Sequence, residues 1–370
     1  MSPSFIKHFS KLKDPRIERS KMHELMDILV LVISAQIAGA NGWEAIVTFG
    51  KSKIEWLRQF VPLKNGIPSP DCIAYVISRI PPKDFQECFI SWINDVHKQT
   101  QGEIISIDGK TARGSRDRKN DKKPLHMVSA WATANRIVIG QEVTNEKSNE
   151  ITAIPNLLER LELNGCIVTI DAMGCQTEIA EDIVDKKADY VLGLKGNQSS
   201  MHEAVEDYFV TAEANEFEDT KCDYVEEIDG DHGRIEIRRY WTTEDLNTLP
   251  QTEKWKGLKS IGMVERICEI EGKITKERRF FLCSIPADAK LFARAVRGHW
   301  GIENVLHWRM DVVFKEDESR IRKGFAPAIM TGIRHVCINL FQKAGSKLSL
   351  NLQRCKAAWD DTFRANVLLA

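Results

Sequence analysis

The chain has 370 residues, 43% hydrophobic and 28% charged, with a formal net charge of -1, the balance of an ordinary globular protein of two or three domains. No run of about eighteen apolar residues occurs, which excludes a membrane-spanning helix, and the longest apolar stretch, Ile28 to Ala40, suits a buried one. Nine cysteines without a Cys-x-x-Cys pair argue against a disulfide framework or a zinc ribbon, and no apolar signal region follows Lys7, His8 and Lys11, so a cytoplasmic protein is expected.

Residues 1–100 read as a helical domain. His23 to Ala38 and Gly42 to Phe60 carry amphipathic patterns, the second with Trp43, Ile46, Phe49, Ile54, Trp56 and Leu57. Ser69-Pro70-Asp71 has the form of a helix start, with a Ser cap and Pro just inside it, leading into Ile73 to Ile80. Pro81-Pro82 breaks that helix, and Phe85 to Val96 makes another with Trp92 on its apolar side. The basic segment Lys7, Lys11, Lys13, Arg16, Arg19 and Lys21 either meets DNA ends or packs on the next domain.

From Gly102 the pattern changes to short β-branched runs. Ile104 to Ile107 is a strand ending at Asp108-Gly109. His126 to Thr133 and Arg136 to Val143 form a hairpin across Ala134-Asn135. Glu150 to Leu163 is helical, Cys166 to Ile170 a strand ending at Asp171, Thr177 to Lys187 a helix and Tyr190 to Leu194 a further strand, an alternation that implies an α/β sheet. Between the first two strands, Lys110 to Lys123 carries seven basic residues against Asp117 and Asp121, or +5, on either a solvated loop or a surface that meets phosphates. Residues 216–285 are strand-rich again (Tyr224 to Ile228, Arg234 to Trp241, Lys259 to Ile270, Arg278 to Ser284), with a turn at Asp229-Gly230-Asp231.

After this insertion comes a predicted helix with His299, Trp300, Glu303, His307 and Trp308. On an α-helix His299, Glu303 and His307 share one stripe, while Ile302, Leu306 and Met310 form an adjacent one that docks on a core. Ligands four apart suit zinc, but no His-Glu-x-x-His is present. Asp108 and Asp171, at the carboxyl ends of predicted strands, have structural explanations as a turn residue and a helix cap. Together with Glu303 they make a three-carboxylate set, which repels itself unless a cation is present. Hard divalent cations take oxygen ligands, and two of them suit phosphodiester chemistry. A P-loop reading fails because its first glycine falls on Ile104. No Ser-His-Asp or catalytic-cysteine signature appears: Ser106 lies inside a strand and Cys175 has no base beside it.

These residues resemble the H-repeat-associated family of bacterial insertion-sequence transposases, in the DDE superfamily. The likeness runs nearly end to end: Asp14-Pro15-Arg16, Gly39-Ala40 with Gly42-Trp43, Gly66-Ile67-Pro68-Ser69, Ile107-Asp108-Gly109-Lys110, Asp171-Ala172, Leu194-Lys195-Gly196-Asn197-Gln198, His232-Gly233-Arg234, and the highly specific His299-Trp300-Gly301-Ile302-Glu303-Asn304 with Leu306-His307-Trp308 and Asp311-Val312. It implies a ribonuclease-H-like catalytic core over 101–215 and 286–345, with a helical N-terminal domain, a β-rich insertion over 216–285 and a tail over 346–370. It also implies Asp108, Asp171 and Glu303 as catalytic and metal-binding residues holding two Mg²⁺ or Mn²⁺ ions. The partners implied are terminal inverted repeats, a target duplex and further copies of the chain on DNA, with no membrane. The activity implied is hydrolysis at element ends followed by 3′-hydroxyl strand transfer. The alternatives are a nuclease or resolvase without strand transfer, or a DNA-binding derivative that is no longer catalytic.

The chain departs from related insertion-sequence transposases, which carry Tyr, Arg and Lys at the positions of Val296, His299 and Met310, although His299 is the replacement expected in this subfamily, and it has Pro70-Asp71-Cys72 in place of His-Asp-Thr. The DNA-binding candidates are Lys110, Arg113, Lys195, Asn197, Gln198, His232, Arg234, His299, Trp300 and His307. For several the alternative is structural: Asn197 as a cap of the following helix, Trp300 and Trp308 as core rather than base-stacking groups, His299 and His307 as packing rather than as groups that polarise a phosphate or position Glu303.

Overall fold

The computed structural model describes residues 3–18, 21–98, 100–117, 120–144, 150–218, 220–231 and 234–370. In chain order the helices and strands are α1 (Ile6–Phe9), α2 (Leu25–Ile37), α3 (Trp43–Ser52), α4 (Ile54–Leu57), α5 (Pro70–Ile77), α6 (Pro82–Val96), β1 (Ile104–Ala112), β2 (Leu125–Ala132), β3 (Ile137–Thr144), α7 (Glu150–Arg160), β4 (Ile167–Ile170), α8 (Thr177–Asp185), β5 (Asp189–Leu194), α9 (Ser199–Ala214), β6 (Cys222–Asp231), β7 (Arg234–Thr243), β8 (Ser260–Ile270), β9 (Lys273–Cys283), α10 (Ala289–Gly301), α11 (Ala326–Lys343), α12 (Leu350–Trp359) and α13 (Asp361–Leu369). They group into two compact units. One holds Met1–Lys98, Gly109–Asn149 and Glu303–Ala370; the other holds Gln99–Asp108 and Glu150–Ile302. Strand β1 is divided between them at Asp108.

The first unit is built on two mainly apolar helices buried nearly all round, α2 and α11, the second of which also buries Thr331, Arg334, His335 and Asn339, and the two pack on each other. Helices α6 and α11 also lie against β3, in a strand order β3-β2-β1. The expected cap at α5 is present, Ser69 Oγ accepting from the Cys72 N–H at 3.2 Å. The helix expected over Gly42 to Phe60 is instead two, because Lys53 leaves helical geometry at φ -124° and ψ 22°. Residues 346–370 are no loose tail. They contain α12 and α13, and Arg354 of α12 donates from Nη2 to the Gln36 carbonyl at 3.0 Å, supplying a cation to the last turn of α2.

Inside this unit His335 is 2% exposed and bonds Gln141 of β3 through Nδ1. Burial, reinforced by Arg334 and Lys110 and opposed by Glu316, pushes its pKa down to about 4 from 6.5. The folded ring therefore stays neutral where the unfolded ring takes a proton, so stability falls as pH drops from 6.5 towards 4. Between pH 7 and pH 5 the wild type should lose roughly 2 kcal/mol more than a His335→Gln variant in urea unfolding. Parallel pH profiles for the two proteins would refute this reading.

The second unit carries the order β1-β4-β5-β9-β8-β7-β6. β4 is parallel to both β1 and β5, and β9 is antiparallel to β5. Strands β6 to β9 then form a long antiparallel meander. The turn expected at Asp229-Gly230-Asp231 is a correction: β6 pairs through Gly230↔Ile235 and Asp231↔Arg234, so the chain does not reverse there. Helix α10 packs on β4, β5, β6 and β7, burying Phe292, Ala293, Ala295 and Val296 against Ile104, Ile167, Val191, Tyr240 and Val264. At Gly298 the helix lies close on the sheet, since a Cβ there would meet the Ile104 side chain at 2.9 Å.

Candidate active site

Parallel pairing of β1 with β4 aligns Ile104 with Ile167 and Ile107 with Ile170. Asp108 and Asp171 each come one residue later, so the two carboxylates leave adjacent strands at the same level. β1 itself continues to Ala112, so Asp108 follows the last residue paired with β4 but does not end the strand. Asp171 also caps the 3-10 turn Ala172–Gly174, its Oδ1 accepting from the N–H groups of Met173 at 3.0 Å and Gly174 at 3.4 Å. The structural and the functional reading of Asp171 are therefore compatible.

The loop after β5 braces that turn. Asn197 Nδ2 donates to the Ala172 carbonyl at 2.7 Å, and Gln198 Nε2 donates to the Cys175 carbonyl at 3.0 Å. Asn197 is thus not the cap of α9, whose N-cap is Gln198, with no side-chain bond to the helix's own N–H groups. Lys195, in the same loop, is exposed. Burial pushes the Cys175 thiol up to about 12, which leaves no ready thiolate nucleophile.

Two residues before each aspartate, and so on the same face of its strand, stands a hydroxyl: Ser106 and Thr169, themselves register partners. Thr169 donates to Ser106 Oγ at 3.1 Å, and Ser106 donates to the Gly298 carbonyl at 3.0 Å. His299 Nδ1 lies 3.1 Å from Thr169 Oγ1. Because Thr169 has given its one hydrogen to Ser106, the ring must donate from Nδ1, and in the neutral ring the lone pair sits on Nε2. This chain clamps the end of α10 beneath the two aspartates and fixes the tautomer of His299.

The single α-helix expected through Glu303 and His307 is corrected. α10 ends at Gly301 and continues as two π-helical stretches, Ile302–His307 and Arg309–Val313. A repeat of four residues drifts by about 40° per step on an α-helix. The wider winding absorbs that drift, and Ile302, Leu306 and Met310 are all buried as expected. Glu303 is exposed, and so is Trp308, at 54%, which removes the core reading of that ring. Trp300 is half-buried, with the guanidinium groups of Arg279 and Arg238 at 5.1 and 5.9 Å from its ring centre.

Other candidates are placed differently. Lys110 is drawn in among Asp311, Glu316 and Asp317, with Asp311 Oδ1 at 2.7 Å and only 13% of the side chain exposed. Arg113 is 85% exposed, with Asp317 at 3.7 Å. Arg234 pairs with Glu236. His307 is half-buried and makes contacts of its own, and His232 lies outside the described residues. Thr169 and Glu316 were missed by sequence reasoning, and Asp311 entered it only through the family likeness, with no role assigned. Thr169 sits in a strand whose every residue is apolar or small, and Asp311 and Glu316 belong to an acidic run indistinguishable by spacing from a solvated face. Among the described residues no group of three or more His, Cys, Asp or Glu side chains is gathered closely enough to hold a metal ion.

A model described as "Transposase DDE domain" matches residues 99–340, and one described as "DDE_Tnp_1-associated" matches residues 6–93. The chain belongs to the DDE transposase family. Its relatives include the "H repeat-associated putative transposase YhhI" of Escherichia coli (strain K12), 42% identical over 369 residues and covering 98% of this chain and 97% of that one. Another is an uncharacterized protein in the dhlA 3′ region of Xanthobacter autotrophicus, 40% identical over 292 residues, which are 78% of this chain and 97% of the relative. A piggyBac transposase synaptic complex with hairpin DNA, solved by cryo-EM, aligns at a TM-score of 0.48 and 12% identity, over 99% of this chain and 78% of that one. Within the second unit, the parallel strands β1-β4-β5 follow one another as in the ribonuclease-H-like core expected of a DDE transposase. Among the described residues no helix is long and apolar enough to cross a membrane.

Proposed function

We propose that this DDE transposase hydrolyses phosphodiester bonds at the ends of its element and joins the freed 3′ hydroxyl to target DNA, with Asp108, Asp171 and Glu303 as the catalytic carboxylates. The observation that carries the reading is the pairing of β1 with β4, which sets Asp108 and Asp171 side by side in a chain matched over nearly its whole length by transposase relatives. The donor set fits Mg²⁺ or Mn²⁺: it is all hard oxygen, and Asp171 is held by backbone N–H groups through one oxygen only. Two such ions, when bound, would supply activation of the attacking oxygen and stabilisation of the leaving one.

The chain's own residues supply the rest. Asn197 and Gln198 act as braces of the Asp171 turn rather than as groups aimed at DNA. His299 is held in place by Thr169 through Nδ1. Arg113 and Lys195 are exposed cations suited to phosphates, and Trp308 is an exposed ring suited to an unpaired base. Two element ends must be held at once, so the active form is an assembly of copies on DNA.

The test is incubation of the purified protein with a labelled duplex of the DNA flanking its gene, a supercoiled target, and Mg²⁺ or Mn²⁺. Metal-dependent cleavage followed by joining of the 3′ end to the target is the expected result. Cleavage without joining would replace this reading with that of a nuclease, and binding without either with that of a retired enzyme.

A further inference from the structure

Among the described residues of the basic stretch Lys110 to Lys123, Lys110 is the one surrounded by three carboxylates. Its ammonium lies 2.7 Å from Asp311, 3.3 Å from Glu316 and 3.6 Å from Asp317. Three carboxylates around one cation leave no positive charge for a phosphate.

The contact belongs to a larger seam within the same unit. The backbone N–H of Arg113 donates to Asp317 Oδ1 at 2.9 Å, Arg322 Nε to the Gly114 carbonyl at 3.1 Å, and Lys122 Nζ to the Gly324 carbonyl at 2.9 Å. At Gly114 any side chain would collide with the Asp317 and Ser319 carbonyls. The segment that follows β1 is therefore stitched to the segment that follows the π-helical run.

Among the three carboxylates, Glu316 is also matched by Thr331 at 2.7 Å and Arg334 at 2.9 Å, and Asp317 is the most distant. Asp311 differs from both. It lies on the helical run that carries Glu303, eight residues further on (311 minus 303), and makes the shortest contact with Lys110. Lys110 in turn follows Asp108 by two residues on β1.

We propose that Lys110 and Asp311 are a positioning pair, which fixes the helical run bearing Glu303 against the end of β1 that follows Asp108. This rests on the carboxylate roles proposed above. Neither residue touches DNA. The pair acts on the third carboxylate through the helix, so its loss misplaces Glu303 without removing it.

Asp311→Asn is the discriminating variant, because Lys110 keeps Glu316 and Asp317 and the fold is retained. Cleavage of the flanking-DNA duplex should fall about tenfold to a hundredfold, and the Mn²⁺ concentration for half-maximal cleavage should rise about fivefold. DNA affinity and its dependence on salt should be unchanged, since no phosphate contact is lost. Asp311→Glu should recover most of the rate. Wild-type cleavage at wild-type Mn²⁺ by Asp311→Asn would overturn the proposal, as would a weaker salt dependence of DNA binding, which marks a phosphate contact, or a loss that merely follows melting. Calorimetric titration of Mn²⁺ into protein and duplex supplies a readout independent of turnover. If the wild type itself fails to cleave, the carboxylate reading fails, whereas equal Mn²⁺ affinity of wild type and Asp311→Asn counts against the positioning pair alone.

Discussion

Glu303→Gln is expected to lower metal-dependent cleavage of the flanking-DNA duplex by about a thousandfold, and strand transfer with it, while DNA affinity stays within about twofold. Gln keeps the size and the carbonyl oxygen of Glu and removes only the charge, which is what a hard cation requires. Glu303 is exposed, so its loss should change stability by less than about 0.5 kcal/mol. Asp171→Asn provides the parallel case on the sheet. Asn retains an oxygen able to accept from Met173 and Gly174, so the turn cap survives and a fall in rate reports on the lost charge. Cleavage by titrated enzyme and band-shift affinity, measured on the same preparations, separate the two effects. Parallel loss of binding and cleavage would mean that Glu303 shapes a DNA surface and does no chemistry.

The second large effect is on stability. Glu316 is 3% exposed, accepts from Thr331 and Arg334, and faces Lys110 at 3.3 Å. Burial alone would raise its pKa, but Arg334 and Lys110 outweigh it and hold the carboxyl below its ordinary range. Glu316→Gln leaves the guanidinium of Arg334, itself 2% exposed, without its counter-charge. The expected cost is about 3 to 5 kcal/mol, because removing one partner of a buried pair exposes the full desolvation penalty of the other. The neighbouring Glu318, whose side chain is 72% exposed beside Lys315, should tolerate the same change at less than about 0.5 kcal/mol. Urea unfolding of the two variants side by side measures the contrast. Equal midpoints would show that water reaches Arg334 and that the pair contributes little.

Much of this architecture follows from local pattern. Alternation and β-branched runs place the strands from Ile104 to Cys283 within a few residues. The Ser69-Pro70 cap forms as its chemistry requires, and Ile302, Leu306 and Met310 turn inward as their spacing indicates. Asp108 and Asp171 could be picked out because each ends a short apolar run, and their neighbours match a specific family. These signals are legible because a helix or strand repeats within a few residues, so the sequence carries them without help from distant parts of the chain.

What tertiary structure alone decided is the partner of each polar side chain. Lys110 and Arg113 are three residues apart in one basic run, yet one is held by three carboxylates about two hundred residues away and the other is exposed. Asn197 has the composition of a helix cap, but reaches back to the turn behind Asp171. The tautomer of His299 depends on which hydroxyl Thr169 serves, and that depends on the register of β1 against β4. A charge or a hydroxyl looks the same in sequence whether water or a buried partner satisfies it. Only the packing of remote segments removes the water and leaves the partner.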